Sequence, residues 1–161
     1  MLNNNFELKN IFGLQKIENN FQVSFSSREH PIWMLVGKRG IGKKTLSIRL
    51  ACFIINKCSN EWETSALTKN LISKTSQNLI YLSSLSSSKT GLITKLQIDK
   101  LKSIFKLNNL DDNPRVVIID KLNSLTNNAM NAILKIIEEP PKEVFFIFLV
   151  DNINEIIPTL I

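Results

Sequence analysis

Apolar positions change their spacing several times along this chain, and each change marks an element. Leu14, Ile17, Phe21 and Phe25 recur at helical spacing, which predicts a helix after an irregular stretch over 1–13. "SSREHP" ends it, since Pro31 disfavours helical backbone in the residue before it. "IWMLVG", Ile32 to Gly37, is an unbroken apolar run and predicts a buried strand. Leu46, Leu50, Phe53 and Ile54 then fit one face of a second helix. Residues 59–77 are polar and weakly patterned, and no element is predicted there. "NLIYLSS" predicts a second strand, and the Ser-rich "SSLSSSKTG" a flexible connection. A further helix is expected near Ile98 to Leu107, with Leu101, Ile104 and Phe105 facing inward. Asp99 would lie in its first turn, where the helix dipole favours a negative charge. "RVVIID", Arg115 to Asp120, predicts a central strand that closes on an acid. "NNAMNAILKIIEEPP" predicts a helix with Ala129, Ala132, Ile133, Ile136 and Ile137 on its apolar side, stopped by Pro140 and Pro141. "VFFIFLV", Val144 to Val150, is the last strand.

Strands that are apolar on both faces and alternate with helices imply an α/β fold, a parallel sheet covered on both sides. The 161 residues carry no internal repeat and suit a single domain over 1–161. Twenty basic residues against 14 acidic give a charge of +6, which permits an anionic partner and equally suits a mildly basic surface. No apolar run is long enough to span a bilayer, and "MLNNNFELKN" lacks the order of a signal peptide. The cytoplasm, with no membrane contact, is the expected compartment. Cys52 and Cys58, expected on one helix and pointing apart, form neither a zinc-type spacing nor a redox pair. No metal-binding residue is expected.

The chemistry sits in "GKRGIGKKTL", Gly37 to Leu46. Gly37, Gly40, Gly42 and Lys43 match G-x-x-x-x-G-K. Such glycines let backbone N–H groups converge on a phosphate at a helix N-terminus, and Lys43 would reach the outer phosphates. A glycine-rich turn before a helix is the plain alternative; the predicted strand before the loop and helix after it favour a phosphate loop. The motif then needs a Ser or Thr hydroxyl for magnesium, and this chain has Lys44. Thr45 comes one residue late, a rotation of roughly 100° around the helix. Lys44 also brings a second cation to the place of the metal. "VVIID" looks like a Walker B strand, in which Asp120 would hold the metal through water. An AAA+ ATPase carries a glutamate next, to activate the attacking water; here that residue is Lys121, which cannot act as that carboxylate. One departure removes a metal ligand and the other a base.

"NNAMNAILKIIEEPP" resembles the "AaNALLKxLEEPP" segment of bacterial clamp-loader subunits, where it also follows "RVVIID" by a few residues. "WMLVGKRGIGKKTLSIRLACFI", "SKTGLITKLQIDKLKSIF" and "FFIFLVDNINEIIPTLI" resemble the matching stretches of the DNA polymerase III delta-prime family, the second especially in alphaproteobacterial forms. The likeness runs from about Ile11 to Ile161 and is weakest around 59–77. It implies the N-terminal domain of an AAA+ P-loop NTPase-like subunit that does not itself hydrolyse ATP. Such a subunit belongs to the complex that loads the sliding clamp on primed DNA, within the DNA-directed DNA polymerase (nucleotidyltransferase) holoenzyme. The implied partners are the delta and tau/gamma subunits and, through the complex, the clamp and primer-template DNA.

The resemblance also implies a nucleotide site at Gly37, Gly40, Gly42, Lys43, Thr45 and Asp120, with no catalytic residue, and ATP binding weak or absent. Many relatives carry a four-cysteine zinc site; with Cys52 and Cys58 alone, zinc is not expected. The sequence ends at "PTLI", before the position of the family's arginine finger, lid and collar, so a monomer is expected in isolation. Three other readings compete: an active P-loop ATPase, a P-loop nucleotide kinase, and a protein drawn to DNA by charge. The kinase would want a hydroxyl at position 44 and a basic lid, and no groove-reading or stacking motif supports the last.

Overall fold

A computed structural model describes residues 13–25, 31–59, 61, 63–64, 66–72, 77–84, 91–106 and 113–152. The expectations for 1–12, for most of "SSREHP", for the Ser-rich connection over 85–90 and for the end of the chain from 153 lie outside them. In chain order the elements are α1 (Gln15–Phe25), β1 (Ile32–Val36), α2 (Lys43–Ile55), α3 (Ala66–Ile72) and β2 (Leu79–Ser83). They continue with α4 (Lys95–Lys106), β3 (Arg115–Asp120), a 3-10 turn at Leu122–Ser124, α5 (Asn127–Glu138) and β4 (Val144–Val150). The strands form one sheet in the order β1-β4-β3-β2, and every pairing is parallel. The α/β fold expected from the pattern is the one observed.

The period of two along β3 and β4 sorts the core into two layers. Val116 and Ile118, with Ile147 and Leu149, pack with α1 and α2 on one face. Val117 and Ile119, with Val144, Phe146, Phe148 and Val150, pack with α4 and α5 on the other. Both strands are buried on both faces, which is why they read as continuous apolar runs. β1 and β2 differ from that expectation. They are the outer strands among the described residues and are only partly buried, with Val36 42% exposed.

Several local expectations need correction. Ile17 is exposed, and Glu18, one residue on, is the group that α1 turns inward. Arg49 causes this: its buried guanidinium donates to Glu18 at 2.9 Å and also pairs with Glu63. Burial works against the charge on Arg49, and the hydrogen bonds and charges of the two glutamates outweigh it. Secondly, α2 is not one-sided, since Leu46 through Ile55 are all buried beneath α1, α3 and the sheet. Cys58 lies beyond its end, at φ 62°, while buried Cys52 has its thiol pushed up to about 12 by burial. Thirdly, α4 begins at Lys95, so Asp99 sits in its second turn, flanked by Lys95 and Lys102. Lastly, α3 forms inside the stretch that showed no pattern. The α5 expectation holds: Thr126 accepts a hydrogen bond from the Ala129 N–H at its start, and the helix stops at Glu138 before the two prolines. Among the described residues no helix is long and apolar enough to cross a membrane, and no cluster of His, Cys, Asp or Glu is placed to hold a metal ion.

Candidate functional site

The carboxyl ends of the four strands meet the N-terminus of α2, where open α/β sheets place their ligands. Gly37 continues β1 by one residue, and its N–H donates to the Val150 carbonyl at 3.0 Å. A Cβ at position 37 would lie 2.4 Å from Ile41 Cδ1, so any other residue there would have to push the exposed Ile41 side chain aside. Gly40 at φ 88° and Gly42 at φ 95° hold left-handed backbone, which other residues rarely adopt. Gly42 caps α2, whose first N–H groups have no partner inside the helix. Thr45 is half-buried in the first turn.

Lys43 folds back over this loop. Its ammonium donates to the carbonyls of Gly37 and Lys38 and to Asp151 Oδ1, the last at 2.8 Å. Lys44 points elsewhere, with Nζ 5.0 Å from the centre of the Tyr81 ring, a cation–π contact. The Tyr81 hydroxyl in turn donates to Asp120 Oδ2 at 2.7 Å. A chain of contacts therefore runs from the residue after the loop lysine to the acid at the end of β3. Lys121 follows with φ 67°, a left-handed conformation unusual for a side chain, and its carbonyl accepts from the Ser124 hydroxyl at 2.6 Å.

Strand parity explains why these side chains meet. Tyr81 packs into the layer of α1 and α2. Asp120 follows Val116 and Ile118 by steps of two, and Asp151 follows Ile147 and Leu149 in the same way. All three acid or phenol groups thus leave the sheet on the α2 side, beside Lys43 and Lys44. Sequence reading did not single out Tyr81 or Asp151. The signal for Asp151 was present, because "FLVD" ends an apolar strand on an acid just as "VIID" does.

Two groups are electrostatically unusual. The Lys43 hydrogen bond holds the Asp151 carboxyl below its ordinary range; partial burial opposes this, and the charges of Lys43, Lys121 and Arg39 add to it. Burial raises the Tyr81 phenol far above its usual value, helped by its hydrogen bond to Asp120 and by that negative charge. A raised phenol stabilises the fold fully below the unfolded value of about 10, and that contribution is lost as pH rises from there through the folded value. Tyr81 is the only tyrosine, so phenolate absorbance in an alkaline titration reports on it alone. It is expected to stay flat past the ordinary tyrosine range and to appear together with loss of helical circular dichroism. Phenolate at about pH 10 in the folded chain would contradict the Tyr81–Asp120 contact.

A parallel sheet between two helical layers, with a glycine loop and its lysine joining the first strand to a helix, defines a P-loop-like α/β domain. The solved γ-subunit-related protein of DNA polymerase III from Thermotoga maritima shares this fold, with a TM-score of 0.63 over 89% of this chain and 42% of its own, at 14% identity. Residues 13–161 match the family model described as DNA polymerase III, delta subunit, and the chain belongs to that family. The Buchnera aphidicola DNA polymerase III subunit gamma of the Acyrthosiphon pisum strain is 29% identical over 83% of this chain and 37% of its own length. The delta' subunit of Bacillus subtilis is 26% identical over 80% and 39%. The chain thus spans less than half the length of these curated relatives.

Proposed function

We propose that this chain serves as a non-hydrolysing AAA+ module of delta-prime type in a DNA polymerase III clamp loader. Its partners would be the delta and tau/gamma subunits and, through them, the sliding clamp and primed DNA, in the cytoplasm. Family membership supports the clamp-loader role. One observation carries the non-hydrolysing part: Lys44, which stands where a metal-binding hydroxyl belongs, lies over Tyr81, whose own hydroxyl donates to Oδ2 of Asp120. Lys121, next to Asp120, offers no carboxylate to activate water. ATP binding at Gly37, Gly40, Gly42, Lys43, Thr45 and Asp120 would be weak or absent, and no zinc would be required. The likeness to gamma subunits supports a second reading, an active ATPase, because the loop glycines and Lys43 are intact.

Reconstitution tests the assembly. Mixed with delta, tau/gamma and the clamp, the chain is expected to join the complex on sizing. A chain that stays separate from all of them would contradict the clamp-loader role.

A further inference from the structure

At the mouth of the loop Lys43 pairs with the Asp151 carboxylate at 2.8 Å, and the charges of Lys121 and Arg39 favour that carboxylate more weakly. An ammonium has three N–H bonds to give. Lys43 directs them to the Gly37 carbonyl, the Lys38 carbonyl and Asp151. The Lys43 side chain is only 10% exposed in this arrangement, and that of Asp151 34%. A phosphate reaching Lys43 would meet a lysine already satisfied and a negative charge already in place.

We propose that Asp151 is a resident competitor for phosphate: its carboxylate holds Lys43 where a ligand phosphate would, and its displacement decides whether the loop takes an oligophosphate anion. This deepens, and rests on, the reading of the loop as a non-hydrolysing site. The ligand class follows from the charges. A cluster of lysine and arginine suits a small oligophosphate, such as pyrophosphate or the diphosphate of a nucleotide. Displacing Asp151 should not require a metal, because the positive charge that the anion would take over from it is that of Lys43. A purely structural role for Asp151, clipping the loop to β4, predicts something different. In that case removing its charge would loosen the loop and gain no affinity.

Asp151→Asn separates the two, since it keeps the shape and the acceptor oxygen and removes only the charge. Pyrophosphate and ADP are titrated calorimetrically into the full chain and its variants, once in EDTA and once with magnesium. Asp151→Asn is expected to bind pyrophosphate about tenfold more tightly than the unmodified chain, the gain being limited by solvent screening at this part-exposed site. The gain should appear in EDTA and vanish when Lys43→Ala is added. Asp151→Ser, a smaller neutral side chain, should show the same gain if Asp151→Asn folds poorly. Unchanged affinity in both neutral variants, a gain that survives loss of Lys43, or a gain that requires magnesium would each overturn the proposal. ATP turnover is read in the same samples. Turnover by the unmodified chain would sink the non-hydrolysing reading whatever the pyrophosphate result. Absence of both turnover and gain would sink the role of Asp151 alone.

Discussion

Phe146→Ala is expected to destabilise the domain by about 3–5 kcal/mol, the usual cost of emptying a buried aromatic site. Phe146 is wholly buried in the middle of β4, which lies between β1 and β3. Its ring stacks on Phe148 of the same strand and meets Phe105 of α4 edge-on, so contacts are lost both within β4 and between β4 and α4. The Phe148 ring stands on a strand paired on both sides and has little room to collapse into the space, which places the cost in the upper range for such changes. β4 also carries the site: the Val150 carbonyl anchors Gly37, and Asp151 follows it. Urea unfolding followed by tryptophan fluorescence measures the loss. Val36→Ala, at an exposed position on β1, is the control and should cost less than about 1 kcal/mol. A loss below that for Phe146→Ala would mean that β4 is not the packed centre of the sheet.

Much of this fold was legible because its strongest signals were local. β3 and β4 are buried on both faces, which matches their apolar runs "VVII" and "VFFIFLV", whereas the apolar run of β1 turned out to be an outer, partly buried strand. The α5 stripe and its proline stop are equally local. What escaped depended on partners distant in sequence. Glu18 turns inward only because Arg49, 31 residues on, is buried beside it. Burial all round α2 comes from being covered by α1, α3 and the sheet together, which no single-helix pattern reports. Within the site, the glycine loop, Lys43 and Asp120 announced themselves by motif. Asp151 carried the same strand-ending acid as Asp120 but no motif, and Tyr81 carried neither. A strand apolar on both faces hides its own parity, so the side on which its last residue emerges stays ambiguous until the helices are packed.

The largest expected effect on activity concerns hydrolysis. Loss of a general base alone removes about 10²–10⁴-fold in rate, and here the hydroxyl that would ligate magnesium is also replaced, by Lys44. The structure ties the remaining acid, Asp120, to Tyr81. Restoring the sequence with Lys44→Thr and Lys121→Glu would return the missing groups and leave Asp151 on Lys43, so some nucleotide binding is the most that pair should recover. The decisive measurement is therefore the simplest: magnesium-dependent ATP turnover by the unmodified chain, beside Lys43→Ala. Both are expected to give the same rate, equal to that of buffer alone. Turnover that requires magnesium and disappears in Lys43→Ala would show a working ATPase and contradict the non-hydrolysing reading.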